Sequence, residues 1–200
     1  LLKFNDLSLG KTYFMSINWT GVFPALTTKF SADDKLDLPL FEKNLNAQLN
    51  AGVNGIVLGG TLGEASVLTT YEKEELVKFA VEKCAGKVPV VLNIAEGSTK
   101  DALQQAEYAK AWGAKGLMML PPMRYKSDHR ETVQWFKTVA DATELPIMIY
   151  NNPISYGHDI TPELFAELAD QPNFVALKES SGNTRRITDL HNTVGDRYAL

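Results

Sequence analysis

Short, continuously apolar runs alternate with amphipathic stretches from Trp19 onward, with a period of about thirty residues, and this period most constrains the possible fold. Strands buried on both faces lose the alternation of a half-exposed sheet, so the pattern predicts a parallel sheet wrapped by helices. The strands are expected at Gly21 to Thr28, Gly55 to Gly59, Val88 to Asn93, Gly116 to Leu120, Pro146 to Asn151 and Phe174 to Lys178. The helices between them are marked by capping chemistry at Thr69-x-x-Glu72, Ser98-x-x-Asp101 and Asp128-x-x-Glu131, and by Thr161 ahead of Pro162. A first helix over Leu38 to Ala51 and a sixth over Thr184 to Val194 complete the set, and glycines at Gly52 and Gly113 suit left-handed helix exits.

Six units of this kind, with no Gly-x-Gly-x-x-Gly turn after the first strand, fit an α/β fold of the (β/α)8 barrel type better than a doubly wound sheet. Tyr198-Ala199-Leu200 reads as the start of a seventh strand. Six strands and a stub do not close an eight-stranded barrel. The expected organisation is therefore an N-terminal extension over 1–18 and a partial barrel over 19–200, with the rest of the barrel beyond this sequence.

A net charge of -4 with scattered lysines and arginines argues against a nucleic-acid surface and for a small-molecule ligand. Cys84 sits alone in a helical pattern, which suits a reducing compartment. His129, His158 and His191 are far apart, so no metal site is expected. The first eighteen residues lack the basic-then-apolar order of a signal peptide and no run is long enough to span a bilayer, so the expected location is the cytoplasm, with no membrane partner.

A barrel opens the C-terminal ends of all its strands on one face. Those ends carry Gly60-Thr61-Leu62-Gly63-Glu64, Pro122-Met123-Arg124-Tyr125, Tyr150-Asn151-Asn152-Pro153 and Lys178. Taken singly, each has a plainer reading: a snorkelling lysine, a turn with a Thr61-x-x-Glu64 capping box, a core tyrosine, an Asn-Pro turn, a solvated loop arginine. Their joint occurrence on strand ends is what those readings do not predict. A buried lysine beside a tyrosine hydroxyl and a glycine-rich turn has the parts to form an imine with a 2-oxo acid and hold its carboxylate.

At these residues the chain resembles the dihydrodipicolinate synthase/N-acetylneuraminate lyase family of class I aldolases, from about Trp19 to the last residue. The resemblance rests on Gly60-Thr61-Leu62-Gly63-Glu64, on Tyr150-Asn151-x-Pro153 and on Val175-x-Leu177-Lys178-Glu179. It implies a (β/α)8 barrel, a homo-oligomer that is commonly a tetramer, and no metal or organic cofactor. It further implies that Lys178 forms a Schiff base, Tyr150 donates and accepts the proton, Thr61 hydrogen-bonds Tyr150, and backbone N–H groups around Leu62 and Gly63 bind the carboxylate. Arg124 is placed at the distal end of the substrate.

Three positions depart from the synthases of this family: Pro122 and Met123 stand where a tyrosine pair extends the proton relay, and Ser155 where an arginine grips the second carboxylate. The expectation is accordingly a pyruvate-releasing or pyruvate-consuming lyase acting on a 2-oxo-3-deoxy sugar acid or related 4-hydroxy-2-oxo acid. A dehydratase or hydratase-aldolase ranks next, and dihydrodipicolinate synthase and a non-catalytic 2-oxo acid binder rank behind. A lysine with an ordinary pKa of about 10.4 is almost wholly protonated near neutrality, so a nucleophilic Lys178 requires desolvation or nearby positive charge.

Overall fold

The computed structural model describes residues 17–200, and the expected extension over 1–18 lies outside that range except for its last two residues. Five parallel strands form one sheet in sequence order: β1 (Ile56–Leu58), β2 (Val90–Ile94), β3 (Gly116–Met119), β4 (Ile147–Asn151) and β5 (Phe174–Glu179). Helices alternate with them: α1 (Leu38–Asn50), α2 (Thr70–Cys84), α3 (Thr99–Ala111), α4 (His129–Asp141), the short α5 (Pro153–Tyr156), α6 (Pro162–Leu168) and α7 (Arg186–Val194).

The caps work as the local chemistry dictates. Thr69 and Asp128 form reciprocal capping boxes with Glu72 and Glu131, and Ser98 accepts from the Asp101 N–H at 3.1 Å. Each cap satisfies an N–H that the first helical turn leaves without a partner. Gly113 adopts φ +96°, a left-handed conformation that a side chain would strain, so the exit of α3 needs glycine for its shape.

The first expected strand is a correction. Residues 21–28 run along β1 and share Leu26 N–H to Val57 carbonyl and Val57 N–H to Pro24 carbonyl bonds, both 2.9 Å, yet the pairing shrinks to an isolated bridge at Ala25. Pro24 has no N–H to give, and Gly21 turns the chain at φ +102°, so the ladder does not extend. At the opposite edge Ala199 bridges Ala176 in parallel, which is the beginning of the seventh strand.

Side chains on the two faces of the sheet enter separate clusters. Ile56, Leu58, Leu92, Leu117, Ile149 and Leu177 pack outward beneath the helices, while Val57, Val91, Met118, Met148 and Ala176 form an inner floor. A register shift interrupts the β4–β5 ladder: Ile147 pairs with Phe174 but Met148 pairs with Ala176, leaving Val175 extra. Val175 and Ala176 both belong to the inner cluster. No helix among the described residues is long and apolar enough to cross a membrane.

Candidate active site

Beyond the register shift, Tyr150 pairs with Lys178 and Asn151 with Glu179 at the C-terminal ends of β4 and β5. Both members of the first pair are half-buried, and Lys178 Nζ lies over the Tyr150 ring, 4.1 Å from its centroid. Lys178 lines a cavity of about 370 Å³ whose walls include Val57, Met118, Met148 and Ala176 of the inner floor. The lysine thus stands at the edge of an apolar floor and opens into an inner space.

The hydrogen bonding around Tyr150 differs from the expectation. Asn152 Nδ2 donates to Tyr150 Oη at 3.0 Å, and Thr61 Oγ1 pairs with Tyr156 Oη in place of Tyr150. Tyr156 meets the Tyr150 ring edge to face, with centroids 5.8 Å apart and planes at 83°. Burial pushes the Tyr156 phenol above its usual 10.0; the bond from Thr61 opposes the rise and Tyr150 adds to it.

Sequence reasoning stopped at the Asn151-Asn152-Pro153 turn and missed Tyr156. The turn continues as α5, with Asn152 accepting from the Ser155 N–H at 3.1 Å, Pro153 in the first turn and Gly157 at φ +70° ending it. Asn-Pro followed four residues later by Gly is a helix start and stop in miniature, and that signal was available.

Residues Thr61–Gly63 form a single 3-10 turn without a side-chain cap, and Glu64 follows at φ 59°, so the plainer reading, a Thr61-x-x-Glu64 capping box, does not hold. Gly63, expected to offer its N–H to a carboxylate, donates it to the Gly60 carbonyl at 2.9 Å. Its own carbonyl accepts from Thr28 Oγ1 at 2.6 Å, and a Cβ on Gly63 would come within 2.9 Å of the Leu26 carbonyl oxygen. Glycine is needed here because the 21–28 segment passes so close. The Leu62 side chain is 75% exposed. Asn93 on β2, which sequence reasoning did not single out, is buried, donates to the Gly59 carbonyl at 2.8 Å and leaves its Oδ1 without a partner.

A second group missed by sequence reasoning braces the strand ends. Asn151 Nδ2 reaches Glu179 at 2.9 Å and Asp159 at 3.1 Å, while its Oδ1 accepts from the Ile160 N–H at 2.9 Å. Arg186 grips Asp159 through both terminal nitrogens, at 2.9 and 2.7 Å, and also donates to the Ile160 carbonyl at 3.0 Å. These contacts tie the residues next to Tyr150 and Lys178 to α7. The Asp159 carboxyl is held below its usual 3.8, chiefly by the Arg186 hydrogen bonds. A depressed carboxyl pKa stabilises the fold above the unfolded value, so this contribution is lost as pH falls below about 3.8 and through the folded value.

Arg186→Ala is expected to cost about 3 kcal/mol, the low end for breaking a buried pair, because Asp159 is 41% exposed and water compensates part of its charge. A melting temperature lowered by roughly 6 to 12 °C would match that cost. An unchanged melting temperature would mean that the brace carries no stability.

Arg124 is placed elsewhere. It lines a separate cavity of about 570 Å³ with Ser98, Tyr125, Lys126 and Arg130, whereas Lys178 is not on that cavity's wall. Met123 and Tyr125 on the same loop are exposed. Among the described residues no group of three or more His, Cys, Asp or Glu side chains is arranged to hold a metal ion.

The model of the dihydrodipicolinate synthetase family matches residues 18–200. The chain belongs to that family. The 4-hydroxy-tetrahydrodipicolinate synthase of Methanococcoides burtonii is 37% identical over 181 residues, 90% of this chain and 62% of that protein. Two solved family structures superpose closely. A chloride-inhibited dihydrodipicolinate synthase from Acinetobacter baumannii, complexed with pyruvate, gives a TM-score of 0.86 at 29% identity, covering 90% of this chain and 62% of its own. A prophage protein of the dihydrodipicolinic acid synthase family from E. coli, also in complex with pyruvate, gives 0.84 at 30% identity, covering 88% and 60%. This family member therefore spans about three fifths of its relatives' length, and its parallel strands and helices are the N-terminal part of a (β/α)8 barrel.

Proposed function

We propose that the protein is a class I lyase that joins or breaks a bond next to a pyruvate unit through a Schiff base on Lys178. The observation that carries this reading is the pairing of Lys178 with Tyr150 on the inner face, with Nζ 4.1 Å from the ring centroid. The pyruvate complexes of the two solved relatives favour a 2-oxo acid ligand.

In this scheme the neutral Lys178 amine attacks the 2-oxo carbon, and loss of water leaves an iminium. Breaking the adjacent carbon–carbon bond sends its electron pair toward the iminium nitrogen and leaves an enamine, while Tyr150 takes the proton from the 4-hydroxyl. The aldehyde departs, the enamine is reprotonated, and water releases pyruvate and the amine. Condensation runs the same steps in reverse. The Thr61 and Leu62 N–H groups of the turn would hold the carboxylate, since the Gly63 N–H is bonded to Gly60, and the Leu62 side chain, mostly exposed, offers no hydroxyl to it. A homo-oligomer, tetrameric by resemblance, and the absence of any cofactor complete the reading.

Cleavage of a 4-hydroxy-2-oxo acid, such as a 2-oxo-3-deoxy sugar acid, agrees with Pro122, Met123 and Ser155 at the positions that distinguish synthases. Condensation in the manner of 4-hydroxy-tetrahydrodipicolinate synthase stands beside it as a second reading, favoured by the name of the 37% identical relative. The lower rank that sequence reasoning gave the synthase is therefore withdrawn. One experiment separates the two: pyruvate release measured across a panel of 2-oxo sugar acids, beside condensation of pyruvate with aspartate semialdehyde. Turnover of a sugar acid with no condensation supports cleavage, the opposite result supports the synthase, and inactivity in both with no pyruvate adduct defeats the Schiff-base reading.

A further inference from the structure

Asn152 makes two hydrogen bonds, and together they settle which of its side-chain atoms faces which partner. The Ser155 N–H can only donate, so the atom it meets at 3.1 Å is Oδ1. Nδ2 then faces Tyr150 Oη at 3.0 Å, and an amide NH2 group donates without accepting. Tyr150 Oη is therefore the acceptor in that bond, and its own proton points elsewhere. The amide is half-buried and held at its far end by the backbone of α5, whose turn Pro153 starts and Gly157 stops. Its N–H is thus aimed at the phenol by the same residue that caps the helix.

We propose that Asn152 is a positioning residue that fixes the polarity of the Tyr150 hydroxyl and donates to its oxygen while that oxygen is charged. With pyruvate on Lys178, Tyr150 gives its proton to the departing hydroxyl of the carbinolamine. Water leaves with the C–O pair, the nitrogen lone pair forms the C=N bond of the iminium, and a phenolate remains. The phenolate then takes a proton from the iminium methyl carbon. The C–H pair becomes the C=C bond, the C=N pair returns to nitrogen, and the products are an enamine and a neutral Tyr150. Through both transfers the Asn152 N–H already points at Oη, so the charged oxygen gains its bond without any group having to turn. A hydrogen bond to a charged oxygen is about twice as strong as one between neutral groups, which corresponds to about 10-fold in the rate of proton transfer.

The inference rests on the Schiff-base reading, and its test uses the full-length protein with pyruvate alone. Exchange of the pyruvate methyl protons in heavy water, followed by NMR, reports the Tyr150 step, while borohydride trapping on Lys178 reports imine formation. Asn152→Ser keeps a good cap for α5 but is too short to reach Tyr150, so trapping at the parent's level and exchange about 10-fold slower are expected. Asn152→Asp keeps both cap and shape, yet its carboxylate only accepts, which reverses the bond to Tyr150. Its exchange per trapped imine should be slower still, whereas a packing role predicts the opposite order, with the isosteric Asp the milder change. In a Tyr150→Phe background Asn152→Ser should slow exchange no further, because the two groups act as one unit. Exchange equal to the parent in Asn152→Ser overturns the proposal, as do an Asp variant milder than Ser, a full added loss in the Phe background, or parallel loss of trapping and exchange. A parent protein that traps no pyruvate overturns the Schiff-base reading itself, an outcome distinct from a trapping-competent protein indifferent to Asn152.

Discussion

Lys178→Ala is expected to abolish both the borohydride-dependent attachment of pyruvate and all turnover, while the protein remains folded. The parent should carry one pyruvate-derived secondary amine per chain, mapped by peptide mass to the segment from Phe174 to Arg185. Among the described residues no other group on the inner face can replace the amine as electron sink, because hydroxyls and amides do not form iminium ions. The fold should survive because the recorded contact of Lys178 Nζ is with the Tyr150 ring at a half-buried site, worth about 0.5 to 1 kcal/mol. Circular dichroism and melting temperature close to the parent's would confirm that the lost activity is chemical. Labelling that persists at another lysine would move the nucleophile elsewhere and remove the basis of the proposed function.

Tyr150→Phe separates imine formation from proton handling. Trapping of pyruvate on Lys178 should persist, because carbinolamine formation and dehydration can draw protons from solvent, whereas turnover should fall by roughly 10² or more. The lost bond from Asn152 Nδ2, 3.0 Å long, accounts for about 1 kcal/mol of stability and does not explain a loss of that size. Turnover within a few-fold of the parent, measured on whichever substrate proves active, would take Tyr150 out of the mechanism.

The sequence made legible what local chemistry or burial enforces. Thr69, Ser98, Asp128 and Thr161 announce helix starts because each caps an N–H within its own helix, and the inner and outer strand residues share the apolar character that full burial demands. Lys178 and Tyr150 stood out because they close such runs. The rest depends on contacts between distant segments. Thr61 and Tyr156 are 95 residues apart, and Asp159 and Arg186 are 27 apart, so no spacing rule joins them. The family resemblance implied Tyr150 as the partner of Thr61, but α5 brings the Tyr156 hydroxyl to Thr61 instead. The first strand was overestimated although Pro24, which lacks an N–H, stood within the apolar run as a legible sign of a broken ladder.

The extra residue in β5 has a further consequence for variation of this chain. Counting inward and outward from Phe174, an uninterrupted strand would turn Leu177 toward the floor and Lys178 toward the helices. With Val175 and Ala176 both facing inward, the parity is reset and Lys178 comes level with Tyr150. Deleting Val175 removes the extra residue itself, so Ala176, Leu177 and Lys178 keep Met148, Ile149 and Tyr150 as partners and the lysine stays inside; one residue inserted between Ala176 and Lys178 would instead turn it beneath the helices, where it faces no substrate. The strand therefore absorbs a codon lost at the bulge but not one gained beyond it, and shuffling schemes that cut between Ala176 and Lys178 must not lengthen it.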